Sequence, residues 1–259
     1  MTRNNWTREQ TILALDLYVR QPFGKMNQHN EEVIKLANII GRTPSAVVRK
    51  IGNIAHFDPA MSARGVNGLE HCSKLDGEVY EKFANNLEEL AYKVSEIYKD
   101  TYRQKPPISA VDLSDLPSGV TRDTIVKQRV GQAYFRDAVL NVYGHRCCIT
   151  GVNLENMLLA SHIKPWAVSN PTTERTNPAN GLCLNPFHDR AFDQGLITLS
   201  FDFKVIIGKA LSEAYMYDDT KEWIKKYEGV SIRVPQIYIP KKEFIEYHQD
   251  VVFKNANGV

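Results

Sequence analysis

Ala160-Ser161-His162-Ile163-Lys164-Pro165-Trp166, Asn180-Gly181-Leu182-Cys183-Leu184 and Phe187-His188-Asp189-Arg190-Ala191-Phe192-Asp193-Gln194 follow one another closely in the chain. Residues 158–163 and 181–184 are short apolar runs suited to strands. Residues 187–194 suit a short helix, and Gly195 stops it. The order strand, loop, strand, helix puts His162 at the end of the first strand and Asn180 at the opening of the second. Asp189 and Asp193, four residues apart, then share one helix face. A base, an amide and a set of oxygen donors thus arrive in one compact unit.

Outward from that unit, residues 196–201 and 203–207 read as a hairpin pair. Residues 126–143 form an amphipathic helix closed by Gly144. Residues 223–227 and 242–253 are helical in pattern, with a proline-containing extended stretch, 232–240, between them. Upstream, residues 6–100 are helical throughout, and residues 101–122 lose all periodicity among prolines, glycine and polar residues. The expected architecture is α+β. Residues 1–100 form a helical domain, 101–122 a linker, and 123–259 a mixed domain with a C-terminal extension.

The bulk properties agree with a globular protein. At 259 residues the chain can bury a full core. A hydrophobic content of 43%, a charged content of 24% and a mean hydropathy of −0.35 are ordinary for such a protein. A net charge of +2 neither demands nor excludes a nucleic-acid partner, because acidic ligands can offset a basic face. The N-terminus lacks a signal-peptide profile, and no apolar run is long enough for a bilayer, so the expectation is a cytoplasmic protein without a membrane partner. Cys72, Cys147, Cys148 and Cys183 form no Cys-x-x-Cys pair, which argues against a four-cysteine zinc site and for small buried hydrophobes.

Within the helical half, Thr7 caps a helix running to about residue 20, and residues 31–40 form a second. Gly41-Arg42-Thr43-Pro44 then makes a turn: glycine ends one helix, threonine caps the next, and proline takes its first position. The helix over 44–55 buries Val47, Val48, Ile51 and Ile54. It leaves Ser45, Arg49, Lys50, Asn53 and His56 outside. The Trp6-Thr7 start and the Gly41–Val47 turn resemble helix-turn-helix and Myb-like modules. That resemblance implies DNA binding through Arg42, Ser45, Arg49 and Lys50. A plain helical domain with a solvated charged face is the alternative.

Phosphodiester hydrolysis needs an activated water, relief of charge on the phosphate, and protection of the leaving 3′ oxygen. A neutral histidine can take the proton from water, and one hard divalent ion can serve the other two needs. The residues that bear on this are Arg129-Val130-Gly131-Gln132, Phe135-Arg136, Tyr143-Gly144, Arg146-Cys147-Cys148-Ile149-Thr150-Gly151, Ser161-His162-Ile163-Lys164-Pro165-Trp166, Asn180-Gly181-Leu182 and His188-Asp189 with Ala191-Phe192-Asp193. Together they make residues 123–201 resemble the HNH endonucleases, in the branch without zinc knuckles that is common among restriction and defence enzymes.

The resemblance implies a ββα-metal fold and a divalent metal cofactor, Mg²⁺ or Mn²⁺. It implies duplex DNA as substrate, 5′ phosphate products, and Lys164 as a further DNA contact. By position, His162 resembles the general base. Asn180 resembles the residue that holds its loop and in some relatives binds metal. Asp189 stands where many relatives have a metal-binding histidine. His188 stands where zinc-bearing relatives have a cysteine, and Asp193 where a second helical ligand occurs. An aspartate at 189 favours Mg²⁺ or Mn²⁺ over zinc. Ser161 departs from the family, many of whose members carry an acidic or histidine ligand there. One active site per chain implies a homodimer for double-strand cutting. The leading expectation is a restriction-type endonuclease, with a modification-sensing variant included. The alternatives are a defence effector whose N-terminal half binds another ligand, and a DNA-binding regulator with an inactive nuclease half. The remaining histidines, His29, His56, His71, His145 and His248, have no partner set and read as structural.

Overall fold

Helix α1 (Arg8–Arg20) is buried on every side from Thr11 through Arg20. A helix buried around its whole circumference belongs at the centre of a bundle, not at its surface. It starts at a capping box in which the Thr7 hydroxyl accepts from Gln10 N–H and the Gln10 side chain accepts from Thr7 N–H. Around it pack α2 (Glu31–Ile40), α3 (Pro44–Ala55), α5 (Lys74–Phe83) and α6 (Leu87–Asp100), with the short α4 (Pro59–Ala63) between α3 and α5. The structure, a computed structural model, describes residues 5–21, 23–63, 72–104 and 120–254. His71 and most of the expected linker, residues 105–119, lie outside the described residues.

The turn between α2 and α3 follows the sequence closely. Gly41 takes a left-handed φ of 67°, and the N–H groups of Gly41 and Arg42 both reach the Ala37 carbonyl. The Thr43 hydroxyl accepts from Ala46 N–H, and Pro44 opens α3.

Compact packing divides the chain into residues 1–137 and 138–259, with the division inside α7 (Val120–Val142). In the second unit, β1 (Leu159–His162) pairs antiparallel with β2 (Gly181–Leu184), setting Ser161 opposite Leu182 and His162 opposite Gly181. A single residue, Asn185, links β2 to α8 (Pro186–Asp193), and its side chain caps that helix by accepting from His188 N–H. Gly195, at φ 66°, closes α8, and the Leu196 N–H returns to the Ala191 carbonyl. Helix α8 packs on β1, β2 and the following β3 (Ile197–Leu199), which forms a hairpin with β4 (Val205–Ile207).

Helices α9 (Lys209–Ser212), α10 (Asp218–Lys225) and α11 (Lys242–Tyr247) complete the unit, and α11 runs directly into a π-helix, His248–Phe253. The stretch 232–240 forms no strand. Phe192 carries α8 onto this core: it is 1% exposed and its ring stacks on His248 at 3.7 Å. Burying such a side chain contributes about 1.5–3 kcal/mol. The fold is α+β, with a helical first unit and a second unit built around two two-stranded sheets. Among the described residues no helix is long and apolar enough to cross a membrane.

Candidate active site

His162 ends β1 and lines a pocket of about 460 Å³ together with Ser161, Trp166, Asp189, Asp193 and His248. Its Nε2–H donates to the Arg175 carbonyl at 2.8 Å. That bond fixes the tautomer and makes Nδ1 the basic nitrogen of the ring. The ring packs edge-on against Trp166 at 5.4 Å. Burial pulls the imidazole pKa from 6.5 down to about 4, against the opposing pull of the Arg175 carbonyl. His162 is therefore neutral and proton-accepting at neutral pH.

The loop from 163 to 179 is closed by Asn180, which is fully buried. Its Oδ1 accepts from Lys164 N–H at 2.8 Å, and its Nδ2 donates to the Lys164 carbonyl at 3.1 Å. Longer contacts from Nδ2 reach Ser169 Oγ and the Glu174 carbonyl. Arg175 ties the loop a second time. Its Nε donates to the carbonyls of Trp166 and Ser169, and its guanidinium lies 5.3 Å from the Trp166 ring centre.

Asp189 and Asp193 come from the flank of α8 that faces the same pocket. The Ser161 hydroxyl donates to Asp193 Oδ1 at 3.3 Å. Burial raises the Asp189 carboxyl above its usual value, partly offset by Ser161 and Arg190. Burial and then the charge of Asp189 raise Asp193. Two partly desolvated carboxylates repelling one another across a serine hydroxyl suit a hard cation, which would relieve that repulsion. No group of three His, Cys, Asp or Glu residues converges on a metal position among the described residues. A pair of carboxylates still fits Mg²⁺, which keeps several waters and takes the rest of its shell from substrate phosphate. It does not fit zinc, which calls for imidazole or thiolate ligands.

The structure gathers His162, Asp189 and Asp193, and leaves other expected residues elsewhere. Asn180 does not line the pocket; its amide is engaged in the loop, so it anchors the loop and is not placed as a metal ligand. His188 is 3% exposed, with its Nδ1–H donating to Asn185 Oδ1 at 3.1 Å and its ring among Phe187, Trp223 and Tyr227. The reason is rotational: adjacent helical residues point about 100° apart, so 188 and 189 cannot both face the pocket. Lys164, expected on DNA, pairs with Glu174 at 2.7 Å and lies over the Tyr247 ring.

The helical unit brings a similar correction. Lys50 is not on the free face of α3. It is 5% exposed, paired with the fully buried Asp76 and set over the Trp6 ring. Position 50 shares its helix stripe with Val47, Ile51 and Ile54, and Asp76 makes burial of the charge tolerable. Val48, expected inside, is only half-buried. Arg42 also turns inward, stacking on Trp6 and donating to Gln10 Oε1 and the Asn5 carbonyl. Ser45 and Arg49 are exposed.

Two contributors escaped the sequence reading. Arg175 acts on His162 through its main-chain carbonyl, which no side-chain pattern reveals. His248 forms part of the pocket wall. Its Nε2–H donates to the Phe192 carbonyl at 3.0 Å, and its Nδ1 accepts from the Thr198 hydroxyl at 2.8 Å. Its reading as structural missed only the place it occupies beside the carboxylates.

Two short antiparallel strands and a helix, with a histidine ending the first strand and acidic residues on the helix, define a ββα site. Residues 147–200 match the family model of HNH endonucleases. A solved modification-dependent restriction endonuclease, TagI, is similar at 20% identity and a TM-score of 0.33. The match covers 44% of this chain and 36% of that one. No curated protein matches the chain.

Proposed function

We propose that the protein is a metal-dependent endonuclease that hydrolyses phosphodiester bonds of duplex DNA, in the manner of a restriction enzyme. The observation that carries this reading is the meeting, in one pocket, of a neutral histidine with a fixed tautomer and a pair of carboxylates joined by Ser161. His162 takes a proton from the attacking water at Nδ1 while the Arg175 carbonyl holds Nε2–H. Asn180 and Arg175 keep the loop, and with it the imidazole, in place. Asp189 and Asp193 hold the divalent ion, with Mg²⁺ first and Mn²⁺ second. When bound, that ion neutralises charge on the phosphate and on the leaving 3′ oxygen.

Exposed Ser45 and Arg49 on α3 are the DNA contacts that the helical unit offers; a base-reading Arg49 would make this unit the specificity module. The four cysteines are thiols, three of them buried, which suits a reducing compartment such as the cytoplasm. One site per chain cuts one strand, so cutting both strands calls for two copies acting together.

The test is incubation of unmodified and methylated plasmid with the protein and Mg²⁺ or Mn²⁺, beside a His162→Ala variant. The expected result is discrete fragments from the wild type and a rate lower by about 10²–10⁴-fold in the variant, the range for loss of a general base. No cutting by the wild type with either ion, or equal cutting by the variant, removes His162 as the base. A difference between the two plasmids assigns modification sensing, and a smear instead of fragments assigns an indiscriminate effector.

A further inference from the structure

We propose that the main-chain N–H of Ala160, on the free edge of β1, donates a hydrogen bond to a nonbridging oxygen of the scissile phosphate. The inference rests on the nuclease reading above and adds to it a substrate contact that no side chain supplies. Among the described residues β1 pairs with β2 alone, so its other edge has no strand beside it. The register shows which main-chain groups that edge presents. Ile163 N–H donates to the Asn180 carbonyl, so the positions bonded to β2 alternate from there: 163, 161 and 159. Ala160 and His162 therefore direct their N–H and C=O groups away from β2. The residues opposite them agree. The Cys183 carbonyl accepts from Cys148 N–H and the Gly181 carbonyl from the Tyr143 hydroxyl, both turned away from β1.

The nuclease pocket lies along this same edge. Successive side chains of a strand point to opposite faces, so a pocket lined by both Ser161 and His162 has to wrap around the strand. No residue of β2 lines it, which leaves the free edge of β1 as the place where it wraps. On one face the Ser161 hydroxyl meets Asp193, with Asp189 beside it; on the other stands the His162 ring against Trp166. In-line displacement puts the attacking water and the leaving oxygen on opposite sides of the phosphorus. With the base on one face and the carboxylates on the other, the phosphate spans the edge between them and lies against the main chain there.

The rest of the lining gives a phosphate few donors. Among the described residues it contains no lysine or arginine, and two of its polar side chains are carboxylates. The Ser161 hydroxyl already donates to Asp193, and the Nε2–H groups of His162 and His248 donate to the carbonyls of Arg175 and Phe192. Ala160 is half-buried, lines the pocket, and has no partner for its N–H among the described residues. A main-chain amide held in a strand is a fixed dipole, and such a donor stabilises charge without reorganising during the reaction.

The experiment replaces Ala160 in the full chain by lactic acid, which exchanges the N–H for an ester oxygen and leaves the methyl group and every N–H of the ladder in place. Ala160→Pro is its companion, because proline is tolerated on an edge strand where the N–H faces away from the ladder. Either variant, with its fold confirmed by circular dichroism, should cut about 10- to 100-fold more slowly than the wild type in single turnover with Mg²⁺, the range for one hydrogen bond to a charged group. The second measurement uses a duplex that the wild type cuts, with a phosphorothioate of either configuration at the scissile bond. Sulfur is a poor hydrogen-bond acceptor, so one configuration should slow the wild type and slow the ester variant no further. If neither variant folds, the wild type decides. Slowing by both configurations, relieved by Mn²⁺ for only one of them, is expected, and a configuration cut at the full rate overturns the contact. A wild type that cuts no DNA overturns the nuclease reading and this contact with it. A wild type that cuts, beside a folded ester variant that cuts equally fast, overturns the contact alone.

Discussion

Acidifying the reaction from pH 7.5 to 5.5 discriminates between a buried and an exposed general base. The base must be neutral to act, and burial holds the His162 pKa at about 4 instead of 6.5. At pH 5.5 a group titrating near 4 is still about 97% neutral, whereas an ordinary histidine near 6.5 is only about 9% neutral. The two cases differ about tenfold in the active fraction, or roughly 1.4 kcal/mol at the transition state. Asp189 and Asp193, raised from 3.8, add to the loss on the acid side of the profile, and His248 in the pocket wall is itself depressed to about 4. Neither histidine of the pocket supplies a step centred at 6.5. The assay is single-turnover plasmid nicking at saturating Mg²⁺ from pH 4.5 to 8, with circular dichroism at each pH to confirm folding. Activity at pH 5.5 within about twofold of that at 7.5 is the expected result. A half-maximal point near 6.5 in folded protein refutes the placement of His162 as a desolvated base locked by Arg175.

Three further outcomes follow from the same contacts. Asp193→Asn removes one of two charges from the carboxylate pair proposed to hold the metal, so Mg²⁺ dependence should shift to higher concentration while Tm changes little; an unaltered Mg²⁺ titration places the ligand elsewhere. Lys50→Ala strands the buried Asp76 carboxylate and should destabilise the helical unit by about 3–5 kcal/mol, whereas exposed Arg49→Ala should stay within about 0.5 kcal/mol and weaken DNA binding. Equal melting shifts for the two variants contradict that assignment. His248 is neutral in the fold, with its pKa lowered to about 4 by burial. A depressed histidine contributes stability that is whole above pH 6.5 and is lost as pH falls toward 4, at up to about 1.4 kcal/mol per pH unit. Urea melts at pH 7 and 5 should therefore show a smaller pH effect in His248→Gln than in the wild type, and parallel changes dismiss the argument.

Much of the site was legible because its signals are local. Strand length, the Asn185-Pro186 helix start, Gly195 and the four-residue spacing of Asp189 and Asp193 act over a few residues, where sequence and geometry are tightly coupled. The turn between α2 and α3 was legible for the same reason, since Gly41, Thr43 and Pro44 each have one conformational job. The charge of Lys50 suggests a solvated face, but its position does not. Its spacing from Val47, Ile51 and Ile54 already put it on the buried stripe, and only its partner Asp76, 26 residues away, was invisible.

The sequence by itself determined which residues could do chemistry and the order of strand, loop, strand and helix that carries them. The tertiary structure decided which of them meet. Helical rotation sends His188 into an aromatic cluster and Asp189 into the pocket, and a distant carbonyl at Arg175 chooses the nitrogen on which His162 is basic. Asn180 holds the loop because its amide finds four partners there. Burial converts an ordinary histidine into one neutral well below its usual pKa. These outcomes depend on long-range packing and desolvation, which exist only once separated segments are brought together and water is excluded.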